Sequence, residues 1–171
     1  MEKKRQSNEL ITVNEGGLKT LFAFMVLGYL CMNIDHGIMP AATSEIQEFL
    51  GGSQGEIGLL GSLVYLGNAI GSILLTPIYQ RYNPKYVVSF CVLFNIVTLI
   101  TFTLFKSFWV MALSRVLAGI FQVSLIIYFP VWVDQNGPEK SKTMWLTLLQ
   151  VSVPLGIVLG YALTGVIVSF T

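Results

Sequence analysis

The chain has 171 residues, of which 54% are hydrophobic and 11% charged, and its formal net charge is +1. Soluble domains carry roughly a quarter charged residues, and here the apolar residues come in long blocks, so the composition points to a membrane protein and excludes a water-soluble one. The small net charge gives no basis for a nucleic-acid partner, and Cys31 and Cys91, each in the middle of an apolar block, read as small packing residues, not as a disulfide or metal pair.

Residues 1–17 form a polar tail without the basic, apolar and cleavage regions of a signal peptide. Residues 18–171 read as one transmembrane bundle with five segments near or above the ~20 residues needed to cross a ~30 Å hydrocarbon core. The first span, 18–42, carries Asn33, Asp35 and His36. Segment 43–56 is acidic and ends in Gly51-Gly52-Ser53-Gln54-Gly55, a connection. The second span, 57–79, has Asn68 near its middle and small residues at Gly58, Gly61, Ser62, Gly67 and Gly71, a pattern that lets helix backbones approach. Arg81-Tyr82-Asn83-Pro84 is a tight turn into the third span, 85–105. Lys106-Ser107 is so short that the third and fourth spans must form a close antiparallel pair.

The fourth span, 108–133, places Arg115, Gly119 and Gln122 on one face, because spacings of four and three return to the same side of a helix. A connection containing Asn136-Gly137-Pro138 leads to the fifth span, 143–169. That span holds Gln150 and Ser152, a helix-packing pair Gly156 and Gly160 at GxxxG spacing, and Pro154, which removes a backbone donor and favours a kink. Lys3, Lys4, Arg5, Lys19, Arg81, Lys85, Lys140 and Lys142 fall on one side of these crossings, with Lys106 alone on the other, so the positive-inside rule expects a cytoplasmic amino terminus. Five crossings then leave the carboxyl terminus outside.

Asp35 is the most informative residue. An ionisable group within a span costs several kcal/mol, and is normally kept where it faces a bundle interior, a water path or a partner charge. Asp35 lies about seven residues below the outer end of its span, and Arg115 about seven residues into a span running the other way. Both are therefore roughly 10 Å deep. If the two helices share an interior face, Asp35 and Arg115 pair directly or through water. Asn33, Asn68, Gln122 and Gln150 are expected to line a cavity, although Asn68, Asn95 and Gln150 fit better the plain reading of amides bonding a neighbouring helix. His36 stands between a proton-shuttling and a packing role.

Taken in order, these pieces resemble the amino-terminal half of a major facilitator superfamily transporter, most closely its Spinster-like branch. Asn33, Asp35 and His36 stand where that branch has an asparagine and an aspartate followed by arginine. Gly58-Leu59-Leu60-Gly61-Ser62 is similar to the start of the second helix, and Arg115-Val116-Leu117-Ala118-Gly119 matches R-x-x-x-G in the fourth. Pro154 to Tyr161 matches P-x-G-x-x-x-G-Y. The turn Gln80-Arg81-Tyr82-Asn83-Pro84-Lys85 is similar to D-R-x-G-R-K, a gating turn, but with Gln80 for the acidic residue and Thr76 for a preceding glycine. A Spinster-like glutamate on the fourth helix is Gln122 here.

The resemblance implies an all-α membrane protein, an incomplete amino-terminal six-helix bundle of the major facilitator fold, with Asp35, Arg115 and His36 as transport and proton-coupling residues. It implies lipid-bilayer residence, an organic and lipid-like or amphipathic solute, protons, and a partner in the missing carboxyl-terminal half or another membrane chain. Against this stands a non-transporting membrane subunit, an assembly bundle derived from a transporter, which the losses at Gln80 and Gln122 favour. No enzyme, metal or cofactor is expected: there is one histidine, no HExxH, no nucleophile elbow and no phosphate-binding glycine loop.

Overall fold

A computed structural model describes residues 15–170. Most of the polar tail, including Lys3, Lys4 and Arg5, lies outside the described residues. The elements are α1 (Glu15–Ala41), α2 (Thr43–Leu50), α3 (Gln54–Arg81), α4 (Pro84–Leu104), α5 (Phe108–Asn136) and α6 (Lys142–Ser169). All but α2 are long and apolar enough to cross a membrane.

The helix ends follow local chemistry. Ser53 and Glu56 form a reciprocal capping box: the Ser53 N–H donates to Glu56 Oε2 at 2.7 Å, and the Glu56 N–H donates to Ser53 Oγ at 3.4 Å. This starts α3 three residues before the sequence reading placed it. Asn83 Oδ1 accepts from the Lys85 N–H at 3.0 Å, and Pro84 occupies the first helical position of α4, so the Asn83-Pro84 pair serves as a helix start. The acidic connection 43–56 is not all loop: α2 occupies Thr43–Leu50 and ends at Gly51, whose φ of 64° suits a residue without Cβ. α6 runs unbroken through Pro154.

Two helix pairs dominate the packing, α1 with α6 and α3 with α5, and α4 lies against α5 as its short connection requires. α5 is the central helix and the most deeply buried of the five spans. Glycines set both main pairs. A Cβ on Gly156 would come 2.5 Å from the Leu30 carbonyl oxygen, and one on Gly160 would overlap that of Ile34. Between α3 and α5, a Cβ on Gly71 would lie 2.7 Å from the Ile120 carbonyl oxygen, while Gly67 and Gly119 face one another. Gly58 and Gly61, expected to continue the α3 stripe, have open space beside them. They border a cavity instead of a helix.

The cores form separate clusters. Phe22, Met25, Tyr29, Leu125, Phe129, Val133, Trp145 and Leu149 join α1, α5 and α6, with Phe22 stacked on Trp145 at 4.1 Å. Met39, Ile57, Leu60, Met111 and Ala112 form a second, which joins α1, α3 and α5. Cys91 packs with Leu75, Val87 and Val123, whereas Cys31 is exposed on α1, so only one cysteine is a packing residue.

Replacing Gly160 with valine drives a side chain into the α1 backbone and is expected to cost at least the ~1–3 kcal/mol of an overpacked core. Gly28→Ala, with open space around it, should not destabilise the bundle, since alanine favours a helix interior over glycine by up to about 1 kcal/mol. Thermal or denaturant unfolding of the chain in micelles checks this; equal losses would disprove the close crossing of α1 and α6.

Candidate functional site

Between the two apolar clusters that join α1 and α5 lies a polar layer, and its centre is an ion pair. Arg115 Nη1 donates to Asp35 Oδ2 at 2.6 Å. The Arg115 side chain is 3% exposed and that of Asp35 19%. Arg115 also lays its guanidinium over the Phe102 ring on α4, 4.0 Å from the centroid. Its Nε is buried and has no hydrogen-bond partner. The charge is thus held by one carboxylate and one aromatic face. In a low-dielectric bundle such a pair is weak support for stability compared with an apolar equivalent, but removing a single partner is costly.

A second polar contact lies beside the first. Gln122 Nε2 donates to the Met32 carbonyl oxygen at 3.3 Å and lies 2.9 Å from His36 Nε2. Gln122 is buried. The His36 ring tilts against Tyr65 of α3, with centroids 5.7 Å apart. Two of the positions at which the chain departs from the Spinster-like pattern, His36 and Gln122, are therefore in contact with each other.

Asp35, His36 and Arg115 line a cavity of about 290 Å³ with Met39, Ile57, Gly61, Val64 and Tyr65. Its lining combines charged and polar groups with apolar ones. The remaining amides do not meet there. Asn33 is buried and returns its Nδ2 to the Tyr29 carbonyl of its own helix at 2.7 Å. Asn68 keeps a buried, unbonded Oδ1 in α3, and Gln150 is exposed on α6. Asn95 donates to the Ala118 carbonyl at 3.2 Å and ties α4 to α5, in keeping with the plain reading of that residue.

At the helix ends that flank the turn between α3 and α4, Gln80, Arg81 and Lys85 are exposed, while Thr76 donates to the Ser72 carbonyl of its own helix at 2.6 Å. Lys106, alone on the outer side by sequence, sits over the Phe49 ring of α2 at 4.4 Å. Sequence reasoning missed the bond from Tyr79 to Ser124, 2.7 Å between hydroxyls, which joins α3 to α5. Nothing in either span marks it, since a tyrosine near a helix end reads as an interfacial anchor. No group of three or more metal-ligating side chains occurs among the described residues.

A bundle of long apolar helices around a buried ion pair is the architecture of a multi-pass integral membrane protein. The family model of the Major Facilitator Superfamily matches residues 21–171, and the chain belongs to that superfamily. It is similar to the probable sphingolipid transporter spinster homolog 1 of Arabidopsis thaliana, 28% identical over 66% of this chain and 23% of the relative. It is similar also to the sphingosine-1-phosphate transporter SPNS2 of Mus musculus, 27% identical over 84% of the chain and 26% of the relative. The D-xylose transporter of Levilactobacillus brevis is 23% identical over 82% of the chain and 31% of the relative. The Spinster-like resemblance in the sequence motifs thus has its counterpart in whole-span similarity. The chain spans only a quarter to a third of the length of these relatives.

A double-mutant cycle tests the pair. Asp35→Asn and Arg115→Met should each destabilise the folded bundle by about 3–5 kcal/mol, since each leaves a buried partner uncompensated. The double variant should lose less than the sum, with a coupling of roughly 0.5–3 kcal/mol. Additive losses, read from unfolding in micelles, would mean that the two charges do not act on each other.

Proposed function

We propose that this bundle is one half of a proton-linked secondary transporter for an organic, amphipathic or lipid-like solute, and that its amino terminus is cytoplasmic. The observation that carries the reading is the Asp35–Arg115 ion pair on the wall of a cavity within the spans. A structural ion pair has no need of a cavity; a carboxylate that must gain and lose a proton does.

The proposed coupling follows from the contacts. With Asp35 ionised, the 2.6 Å bond ties α1 to α5. A proton on Asp35 removes the negative partner, and Arg115 is left with the face of Phe102. The attraction between the helices falls, so proton occupancy biases the arrangement of α1 against α5. Alternating access in such transporters is largely a rocking of one half against the other around a midplane site, so the reading also needs a partner half, within the same protein or on another membrane chain. Gln80, Arg81 and Lys85 are proposed to meet that partner at the cytoplasmic face, with the uncharged Gln80 contributing a hydrogen bond where the family pattern has a charge.

For the solute, support comes from the lining and from the relatives. The cavity of about 290 Å³ is at the small end of ligand sites, enough for a polar headgroup between Asp35, His36 and Arg115. Its Met39, Ile57 and Val64 wall suits the adjoining apolar part. Two of the relatives are named for sphingolipid and sphingosine-1-phosphate transport, and this class is favoured over a sugar, which offers no apolar part.

In proteoliposomes holding the whole transporter, an inward proton gradient should drive accumulation of a lysolipid or sphingoid solute by the native protein. Asp35→Asn should abolish accumulation above equilibrium while solute exchange continues. Full gradient-driven accumulation by that variant would remove Asp35 from coupling. Stable assembly of the native chain without any uptake would favour the non-transporting subunit.

A further inference from the structure

The amide of Gln122 decides which nitrogen of the only histidine carries its proton. Gln122 Nε2 lies against two groups, the Met32 carbonyl oxygen at 3.3 Å and His36 Nε2 at 2.9 Å. A carbonyl oxygen only accepts, so the amide atom facing it must be the nitrogen. The two amide hydrogens then go one to Met32 and one to the imidazole. His36 Nε2 is the acceptor in that bond, and the ring hydrogen is on Nδ1. This is the reverse of the Nε2–H form that a histidine side chain prefers in water.

We propose that Gln122 acts as a tautomer clamp, holding His36 as a neutral Nδ1–H donor that faces the cavity and binds an acceptor oxygen of the ligand there. His36 borders the cavity, and its Nδ1 makes no hydrogen bond within the described residues. The neighbours that bear on the ring are Asp35 on α1, Arg115 on α5 and the Tyr65 ring on α3. A proton placed on Nε2 would oppose the amide N–H. Turning the amide over to offer its oxygen would set that oxygen against the Met32 carbonyl. Every state other than Nδ1–H therefore loses a hydrogen bond inside the bundle. His36 is in this account a ligand-binding donor and not a proton carrier, and the ligand group is an oxygen acceptor such as a phosphate, carboxylate, carbonyl or hydroxyl.

The account is independent of proton linkage at Asp35, so its failure leaves that reading untouched. The chain contains one histidine, so selective ¹⁵N-histidine labelling gives one imidazole spectrum without assignment. In phosphatidylcholine nanodiscs at neutral pH, Nδ1 should resonate as the protonated nitrogen and Nε2 as the unprotonated one. A nitrogen–nitrogen coupling across the bond to Gln122 should be visible in protein labelled at both residues. Gln122→Ala should move the ring toward Nε2–H, and Gln122→Glu, which offers only acceptors, should place the proton on Nε2. A native spectrum with Nε2 protonated would overturn the clamp, and so would an unchanged spectrum in Gln122→Ala. Should neither variant fold, the native spectrum and the coupling decide the matter alone. Adding inorganic phosphate as a probe should shift the Nδ1 resonance of the native chain; no shift up to high millimolar phosphate would overturn the anionic-ligand arm and leave an uncharged oxygen as the acceptor, tested in the same way with glycerol.

Discussion

An ion pair joins two helices that otherwise touch little, its Arg115 almost wholly buried and its Asp35 open to a cavity. The main backbone interfaces run from α1 to α6 and from α3 to α5, with α4 on α5. The bundle is thus a pair and a trio, and the seam between them passes through the polar layer. There, Arg115 reaches Asp35 and Gln122 reaches both Met32 and His36. Each bond crosses from α5 to α1. An apolar seam would slide or repack at little cost, because lipid chains are as apolar as leucine and no hydrophobic force drives spans together. Directional bonds in a low dielectric fix the register, and a 2.6 Å charge-assisted contact tolerates small displacement only.

The glycine contacts make that register reachable. Gly156 and Gly160 bring α6 onto the backbone of α1 around Leu30 and Ile34, the turns just before and beside Asn33 and Asp35. On the other side of the seam, Gly67 and Gly119 bring α3 onto α5 one turn from Arg115. Asp35 and Arg115 are therefore each carried by a helix that is locked to a neighbour by backbone-to-backbone packing. Such support limits the side-chain and helix freedom that a lone ion pair between two long residues would otherwise lose on forming.

Much of this was legible in the sequence, and the boundary has a physical origin. Helical rise is fixed at 1.5 Å, so counting seven residues in from each end put Asp35 and Arg115 at one depth. GxxxG spacing identified Gly156 and Gly160 as contact residues. Rotation about the helix axis was not legible. In a bilayer both the lipid-facing and the core-facing sides are apolar, so the stripe that orients a soluble helix is missing. That is why Cys31 and Cys91 looked alike although one is exposed and one buried, why Gly58 and Gly61 were grouped with Gly67 and Gly71, and why Gln150 was assigned to a cavity. The contact between His36 and Gln122 depends on the rotation of two helices at once. α2 was passed over although Ile46, Phe49 and Leu50 recur at helical spacing, because its acidic residues and the glycines after it read as a connection; the Ser53 and Glu56 capping box was likewise written in the spacing and passed over as loop.

The geometry also relates the departures at His36 and Gln122 from the Spinster-like pattern to each other. With His36 held neutral as proposed, the polar layer contains one negative group, Asp35, one positive group, Arg115, and an uncharged pair, so it is balanced. An arginine at position 36 facing a glutamate at position 122 would be balanced as well. A mixed layer would not be: arginine against the Gln122 amide, or glutamate beside a neutral His36, leaves one charge without a partner beside an ion pair that is already nearly closed to solvent. Leaving a buried charge uncompensated costs more than replacing both partners together. The exchange of a charged pair for a hydrogen-bonded neutral pair therefore has to be made at both positions or at neither. It leaves Asp35 as the only carboxylate of the layer.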